Sequence, residues 1–334
     1  MLTRRRTARP LAALGLAALA LTTAACAGSS SSDTASTEAQ PLDRLEITAP
    51  AAPGGGWDST ARAAQGVLQS EQLAKSVQVV NVPGAGGTVG LAKVANAKGE
   101  GGSLMTMGLV MVGAIETNKS AATLDDVTPI ARLTSEQEAI VVPADSPYET
   151  LEEFVTAWET DPGAFPIAGG SAGGTDQILA GLLAQAAGID PKKVNYIAYS
   201  GGGEALAAIL GGKVAAGISG VSEFTDQVAA GKMRALAVSG SEPVEGFDAP
   251  TITESGYDVE LTNWRGIVAP GELSESDEQA LVDAVQGMYE SEAWKTAMSD
   301  NGWDDAYLPA EEFASFLAEE KTRVAGVLSS LGLV

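Results

Sequence analysis

Four turns in this chain place glycine, serine and threonine where a backbone could hold an anion: PGGGWDST (53–60), PGAGGTVG (83–90), GGSAGGTDQ (169–177) and YSGGGEAL (199–206). A fifth, weaker one is SGVSEFTDQ (219–227). Each leads into a stretch of helical character and so presents free backbone N–H groups at a helix N-terminus. The macrodipole adds roughly +0.5 of an elementary charge there. Such turns are ready anion sites. One Gly-rich turn is as well explained by chain reversal as by a ligand, but four, split between the two halves of the chain, exceed what turn chemistry requires.

The anion is not a nucleotide phosphate by these motifs. Neither PGGGWDST nor PGAGGTVG fits the dinucleotide pattern, because Val89 stands where the third glycine belongs, and no turn supplies the lysine of a P-loop. A small carboxylate fits better, since its oxygens accept from backbone N–H groups and from Ser or Thr hydroxyls. Asp58 and Asp176 would repel such a ligand and are read as groups that cap the helices behind the turns.

Composition narrows the chemistry further. The chain has no histidine and one cysteine, which removes Ser-His-Asp and Cys-His catalysis and Cys/His zinc sites. An enzyme would have to use carboxylates such as Glu136/Glu138, Glu152/Glu153 or Asp304/Asp305. With 43 acidic residues, such pairs are expected on solvated faces. No D-x-D-x-D-G calcium loop is present, so neither metal nor cofactor is expected, apart from a cation that accompanies the ligand.

The amino end reads as an export signal. MLTRRRTARP is basic, residues 11–25 are largely apolar, and Cys26 follows two small residues. Thr23-Ala24-Ala25-Cys26 resembles the lipobox of bacterial lipoproteins, with Thr23 where a leucine is usual. Residues 26–43 then form a polar tether to a lipid-anchored Cys26. Removal of residues 1–25 leaves 16 basic against 43 acidic residues, a net of −27, which excludes nucleic acid and anionic lipid as partners.

The elements that must position the turns alternate short apolar runs with amphipathic ones, an α/β pattern with mainly parallel sheets. Strands are expected at 44–49, 77–82, 104–109, 139–143, 165–169, 194–199, 215–219 and 234–239. Helices are expected in STARAAQGVLQSEQLA, TDQILAGLLAQAAG and GEALAAILGG. Ser274 with Asp277 looks like a capping box opening a helix that reaches about Met298. Phe313, Phe316, Leu317, Val324, Val327 and Leu328 share the core face of a last helix.

Taken in order, APGGGWDSTARA, NVPGAGGTVGLAKVA, GGSAGGTDQILAGLLAQAAG, VNYIAYSGGGEALAAILGGKV, GKMRALAVSG and NWRGIVAP resemble the substrate-binding proteins of tripartite tricarboxylate transporters, the Bug receptors. Trp57 and the GGSAGGTDQ form resemble the branch associated with tricarboxylates. The resemblance implies a two-lobed periplasmic-binding-protein fold (type II-like) with the ligand cleft between α/β lobes. It places the first crossing near 139–147 and the return near 263–270, giving lobe 1 as 44–142 with 264–334 and lobe 2 as 143–263. By motif, carboxylate contacts are expected from Gly55, Gly56, Trp57, Gly87 and Thr88 on one side. Ser171, Gly174, Thr175, Ser200 and Gly202 face them across the cleft.

Arg62 and Arg265 are candidates for an extra charge contact, against the plainer reading of each as a structural ion pair. The expected role is a monomeric, exported receptor that hands a citrate-like carboxylate to integral membrane subunits. The alternatives are a ligand-presenting sensor for a membrane signalling partner and an exported carboxylate-dependent enzyme.

Overall fold

In the computed structural model of the protein, residues 42–199 and 202–334 are described. The signal segment 1–25, Cys26, most of the tether and Ser200 lie outside them. Each glycine turn sits where a strand hands over to a helix. In the first half these pairs are β1 (Leu45–Ala49) with α1 (Gly56–Ser70) and β2 (Val77–Asn81) with α2 (Thr88–Ala95), followed by β3 (Ser103–Gly108) with α3 (Leu109–Thr117). Then come β4 (Val127–Ser135), β5 (Glu138–Pro143) and α4 (Leu151–Thr160). The second half runs β6 (Ile167–Gly169), α5 (Thr175–Ala186), β7 (Tyr196–Ala198), α6 (Gly202–Leu210), β8 (Ala216–Gly220), α7 (Val221–Ala229) and β9 (Met233–Val238). It closes with β10 (Arg265–Pro270), α8 (Glu275–Glu290), α9 (Glu292–Asn301), β11 (Asp304–Pro309) and α10 (Ala310–Ser330).

Two sheets result. One has the order β11-β4-β10-β3-β1-β2 and the other β7-β6-β8-β5-β9. They are mixed, which corrects the expectation of mainly parallel sheets: β10 pairs antiparallel with both β3 and β4, β11 with β4, and β5 with both β8 and β9. The antiparallel members β5 and β10 are the strands by which the chain enters one sheet and returns to the other. A strand that arrives straight from the neighbouring sheet has no crossover helix to turn it parallel.

The chain first changes sheets between Ser135 and Glu138, a few residues before the expected 139–147, and returns at Asn263–Arg265. These two connections are paired with each other. Glu136 N–H donates to Asn263 O at 3.2 Å, Asn263 N–H donates back to Glu136 O at 2.8 Å, and Gln137 bridges Thr262.

Apolar residues fill both faces of each sheet. Leu45, Ile47, Leu104 and Ile267 meet α1 and α8 in one cluster, while Ala139 and Val141 of β5 meet Ile209 of α6 and Phe224 of α7 in another. The helix expected to reach Met298 is broken at Ser291, whose hydroxyl accepts from Trp294 N–H and starts α9 afresh. Ser274 caps α8 as its spacing predicts, accepting from Asp277 N–H at 3.1 Å. On α10, Phe313, Leu317, Val324 and Leu328 are buried, with Phe316 and Val327 packed beside them. Among the described residues, no helix is long and apolar enough to cross a membrane.

Candidate carboxylate cleft

A cavity of about 780 Å³ opens where the glycine turns of the two sheets face each other. Its walls are the starts of helices. The N-caps of α1, α2, α5 and α7 are Gly55, Gly87, Gly174 and Gly220, all four on the cavity, and none of these helices has a side-chain cap. Of the helices that start elsewhere, α4, α8 and α9 are capped by the hydroxyls of Thr150, Ser274 and Ser291, while α3 and α10 start at Gly108 and Pro309 without a side-chain cap. A side-chain cap consumes an orphan N–H. Glycine at that position leaves the group for something else to satisfy.

The turns are held by acids that reach backwards. Asp58, 3% exposed, accepts from Gly54 N–H at 2.8 Å and from Arg62 Nε at 2.9 Å with one oxygen. Its other oxygen accepts from Asn81 Nδ2 at 2.7 Å. Burial alone would raise its pKa, but the hydrogen bonds from Arg62, Gly54 and Asn81 hold it below the ordinary value. Asp176 does the same in the third turn, accepting from Gly170 N–H at 2.6 Å, while Gln177 Oε1 accepts from Gly173 N–H. Both aspartates therefore fix loop shape by holding N–H groups upstream of the helix, and not, as the sequence predicts, by capping the helix itself. Arg62, half exposed, completes the Asp58 network and lies off the cavity.

Gly55, Gly56, Trp57, Gly87, Ser171 and Gly174 are brought together on the cavity wall. Trp57 spans the first two turns, with its ring against Gly87 and its indole nitrogen near Gly108. Thr88 and Thr175 are not on the wall. The Thr88 hydroxyl is donated to Ala85 O at 3.0 Å, and Thr175 is fully buried behind its turn. Gly202 opens α6. Residues not singled out as ligand contacts join the lining: Ser219, Gly220 and Glu223 from the fifth turn, Asn118 at the end of α3, and Asn263. The signal for the first three was the SGVSEFTDQ turn itself.

The acid pair Glu136 and Glu138 is not on a solvated face, contrary to its expected place. Glu136 is 2% exposed and Glu138 fully buried. The reason is the connection between the sheets. Glu136 Oε2 accepts from Arg265 Nη2 at 2.6 Å, and its Oε1 accepts from Ser222 N–H at 3.0 Å and from the Ser222 hydroxyl.

Glu138 has no hydrogen-bond partner for either oxygen among the described residues, and desolvation, reinforced by Asp176, Glu136 and Glu223, pushes its pKa well above the ordinary value. Burial likewise pushes Asp176 up to about 6. Glu223 keeps solvent contact from the cavity wall, and desolvation together with Asp176 and Glu136 pushes it up to about 7. Among the described residues, no group of His, Cys, Asp and Glu could hold a metal ion.

Residues 60–333 match the family model described as tripartite tricarboxylate transporter family receptor. The chain belongs to this receptor family. It is thus a solute-binding receptor and not an enzyme. BugT of Bordetella pertussis is 27% identical over 307 residues, covering 89% of this chain and 92% of that one. A TctC solute-binding protein from Polaromonas superposes with a TM-score of 0.67 at 27% identity, over 86% of this receptor and 99% of that chain. MatC from Rhodopseudomonas palustris, solved with bound malate, superposes with a TM-score of 0.75 at 25% identity over the same shares. The glycine-capped cleft is accordingly the receptor's candidate ligand site.

Proposed function

We propose that this receptor captures a small carboxylate in the cleft and delivers it to the membrane subunits of a tripartite transporter. The carrying observation is the convergence of α1, α2 and α5, each with a bare glycine cap, on one cavity. Charge-assisted hydrogen bonds contribute roughly 1.5 to 3 kcal/mol each. Four or five of them support a micromolar complex, about −8 kcal/mol, after ordering and closure.

In this reading the two sheets are the cores of two lobes, and a ligand that touches both favours the closed arrangement over the open one. The paired connections at Glu136 and Asn263 serve as the hinge, and the membrane subunits recognise the closed form. The N–H groups of Gly55, Gly87 and Gly174 already donate to Ala52 O, Gly84 O and Ser171 O, so the contacts come from the N–H groups of Gly56 and Trp57 at the start of α1, from the first turns of α2 and α5, and from the Ser171 hydroxyl. A citrate-like tricarboxylate is the ligand class suggested by the Trp57 branch, and a cavity of about 780 Å³ holds one easily. The mature chain acts as a monomer outside the cytoplasm, anchored through a lipid on Cys26.

Calorimetry on protein unfolded and refolded to strip carried-over ligand tests this. The panel is citrate with and without magnesium, tricarballylate, succinate, malate, glutamate and terephthalate. Saturable one-to-one binding to a tricarboxylate supports the full reading, and binding to another acid replaces the ligand while keeping the mechanism. Silence across the panel overturns it.

A further inference from the structure

The ion pair between Glu136 and Arg265 is unequal. Glu136 is complete: one oxygen accepts twice from Ser222 and the other once from Arg265. Arg265 is not. Its Nη2 serves Glu136, while Nη1 is buried with no partner among the described residues, although a guanidinium carries five N–H donors. A pair that existed only to join two parts of the fold would leave neither member short.

Nη1 itself keeps no solvent-exposed surface, but the side chain as a whole borders the ligand space. Arg265 is 5% exposed and lines the cavity, so the little surface it keeps opens on the ligand space. Its guanidinium rests against the first turn of α1, close enough that a Cβ on Gly56 would come within 2.8 Å of Nη2. On another side it stands over the Trp303 ring, 5.5 Å from the centroid. These contacts fix a positive charge beside Gly56, at the start of α1. Asp176 and Glu223 also line the cavity and repel an acid group from their own positions.

We propose that Arg265 is the residue that reads a second carboxylate on the ligand, so that the receptor selects acids with at least two carboxylates. One carboxylate occupies the glycine turns. The other shares the guanidinium with Glu136, and with it the connection between the sheets. This rests on the carboxylate reading above and specifies it further.

The test compares succinate with succinamate, its monoamide, which has the same shape and one charge fewer. Calorimetry with the full-length receptor is expected to give at least about tenfold tighter binding of succinate. Replacing Arg265 alone would strand a buried Glu136 charge, so the variant is Glu136→Gln with Arg265→Gln, which removes both charges together. Circular dichroism checks its fold.

In that variant the preference is expected to fall within about threefold, with succinate losing tenfold to a hundredfold and succinamate almost unchanged. Arg265→Lys, which keeps the charge but not the planar fork, should lose part of the preference, and it carries the test if the double variant does not fold. A preference that survives in the folded variant, or wild-type receptor that binds the two ligands equally, overturns the assignment to Arg265 and leaves the carboxylate reading intact. Absence of any carboxylate binding to the wild type overturns both.

Discussion

The ring of Trp57 occupies the space that a side chain on Gly87 would need. A Cβ at Gly87 would lie 2.7 Å from Trp57 Cζ3 and 2.9 Å from Met111 Cε, and the residue sits at φ 92°. The first two turns are thereby locked together, since Trp57 follows the cap of α1 and Gly87 is the cap of α2. Gly87→Ala should destabilise the protein by about 1 to 3 kcal/mol through overpacking and backbone strain. It should also weaken ligand at least tenfold, because the N–H groups of both turns move apart. Thermal unfolding and calorimetry on the same sample separate the two effects. An unchanged affinity with a lowered Tm would mean that Trp57 packs without shaping the site.

Asp58 is expected to matter more than the arginine it pairs with. It is buried and accepts from Gly54, Arg62 and Asn81, so Asp58→Ala removes three hydrogen bonds at once and frees the first turn. A loss of about 2 to 4 kcal/mol in unfolding free energy follows, together with most of the affinity. Arg62→Ala removes a half-exposed partner and should change stability by less than about 1 kcal/mol. Urea titrations of the two variants provide the comparison, and equal losses would contradict this ranking.

The buried acids set a pH dependence of stability. Glu138 and Asp176 have folded-state pKa values raised above their unfolded ones, so the folded state holds extra protons. Their burial is tolerated below about pH 4, and stability is lost as pH rises through the folded-state values. For Asp176, raised from 3.8 to about 6, this window is pH 4 to 6. Glu138→Gln cannot ionise, so its Tm relative to wild type should climb steadily as the pH is raised. Parallel Tm curves for the two proteins between pH 4 and 8 would show that Glu138 carries no such penalty.

An anion entering this cleft should bring a proton with it. Asp176 and Glu223 line the cavity with pKa values of about 6 and about 7, and Glu138 stands behind them. The charges around them are Glu136 and Arg265, with the Tyr196 hydroxyl donating to Gly170 O at 2.9 Å. A bound carboxylate raises the acids further, so protons are taken up and affinity increases as pH falls from 8 to 6. Calorimetric heats measured in buffers of different ionisation enthalpy give the proton count directly. Heats independent of buffer would rule out the linkage.

Local chemistry made the site's glycine turns readable. A strand, two or three glycines and an acid in the next helix turn form a message within a dozen residues, and Asp58 and Asp176 hold the turn from the helix start, though by bonding loop N–H groups and not as helix caps. What pairs over long distances was not readable. β4 carries Pro129 and Arg132, β11 begins with Asp304 and Asp305, and NWRGIVAP looks like a connection because Gly266 and Pro270 interrupt it. These three segments become strands only by antiparallel pairing with one another and with β3, across up to about 180 residues. Glu136 and Glu138 misled for the same reason: their surroundings come from Ser222, Gly220 and Arg265, none of which is near in sequence.

The two halves also meet at a pair of glycines, and this gives a handle on closure. A Cβ on Gly113 of α3 would lie 2.1 Å from the carbonyl oxygen of Gly173, in the turn before α5, and a Cβ on Gly173 would meet Thr117 at 2.6 Å. Helix α3 follows β3 of one sheet, and the Gly173 turn follows β6 of the other. The absence of side chains here is what allows the two walls to approach. Gly113→Val should hold them apart while leaving each sheet intact, since the added atoms project towards the facing turn. Small-angle scattering should then show a larger radius of gyration in the presence of saturating ligand, and affinity should fall by at least tenfold because contacts from one wall are lost. If the variant reached the same compact dimension as wild type with ligand bound, closure would have to occur about a different line, and the approach of Gly113 to Gly173 would be a packing detail of α3 alone.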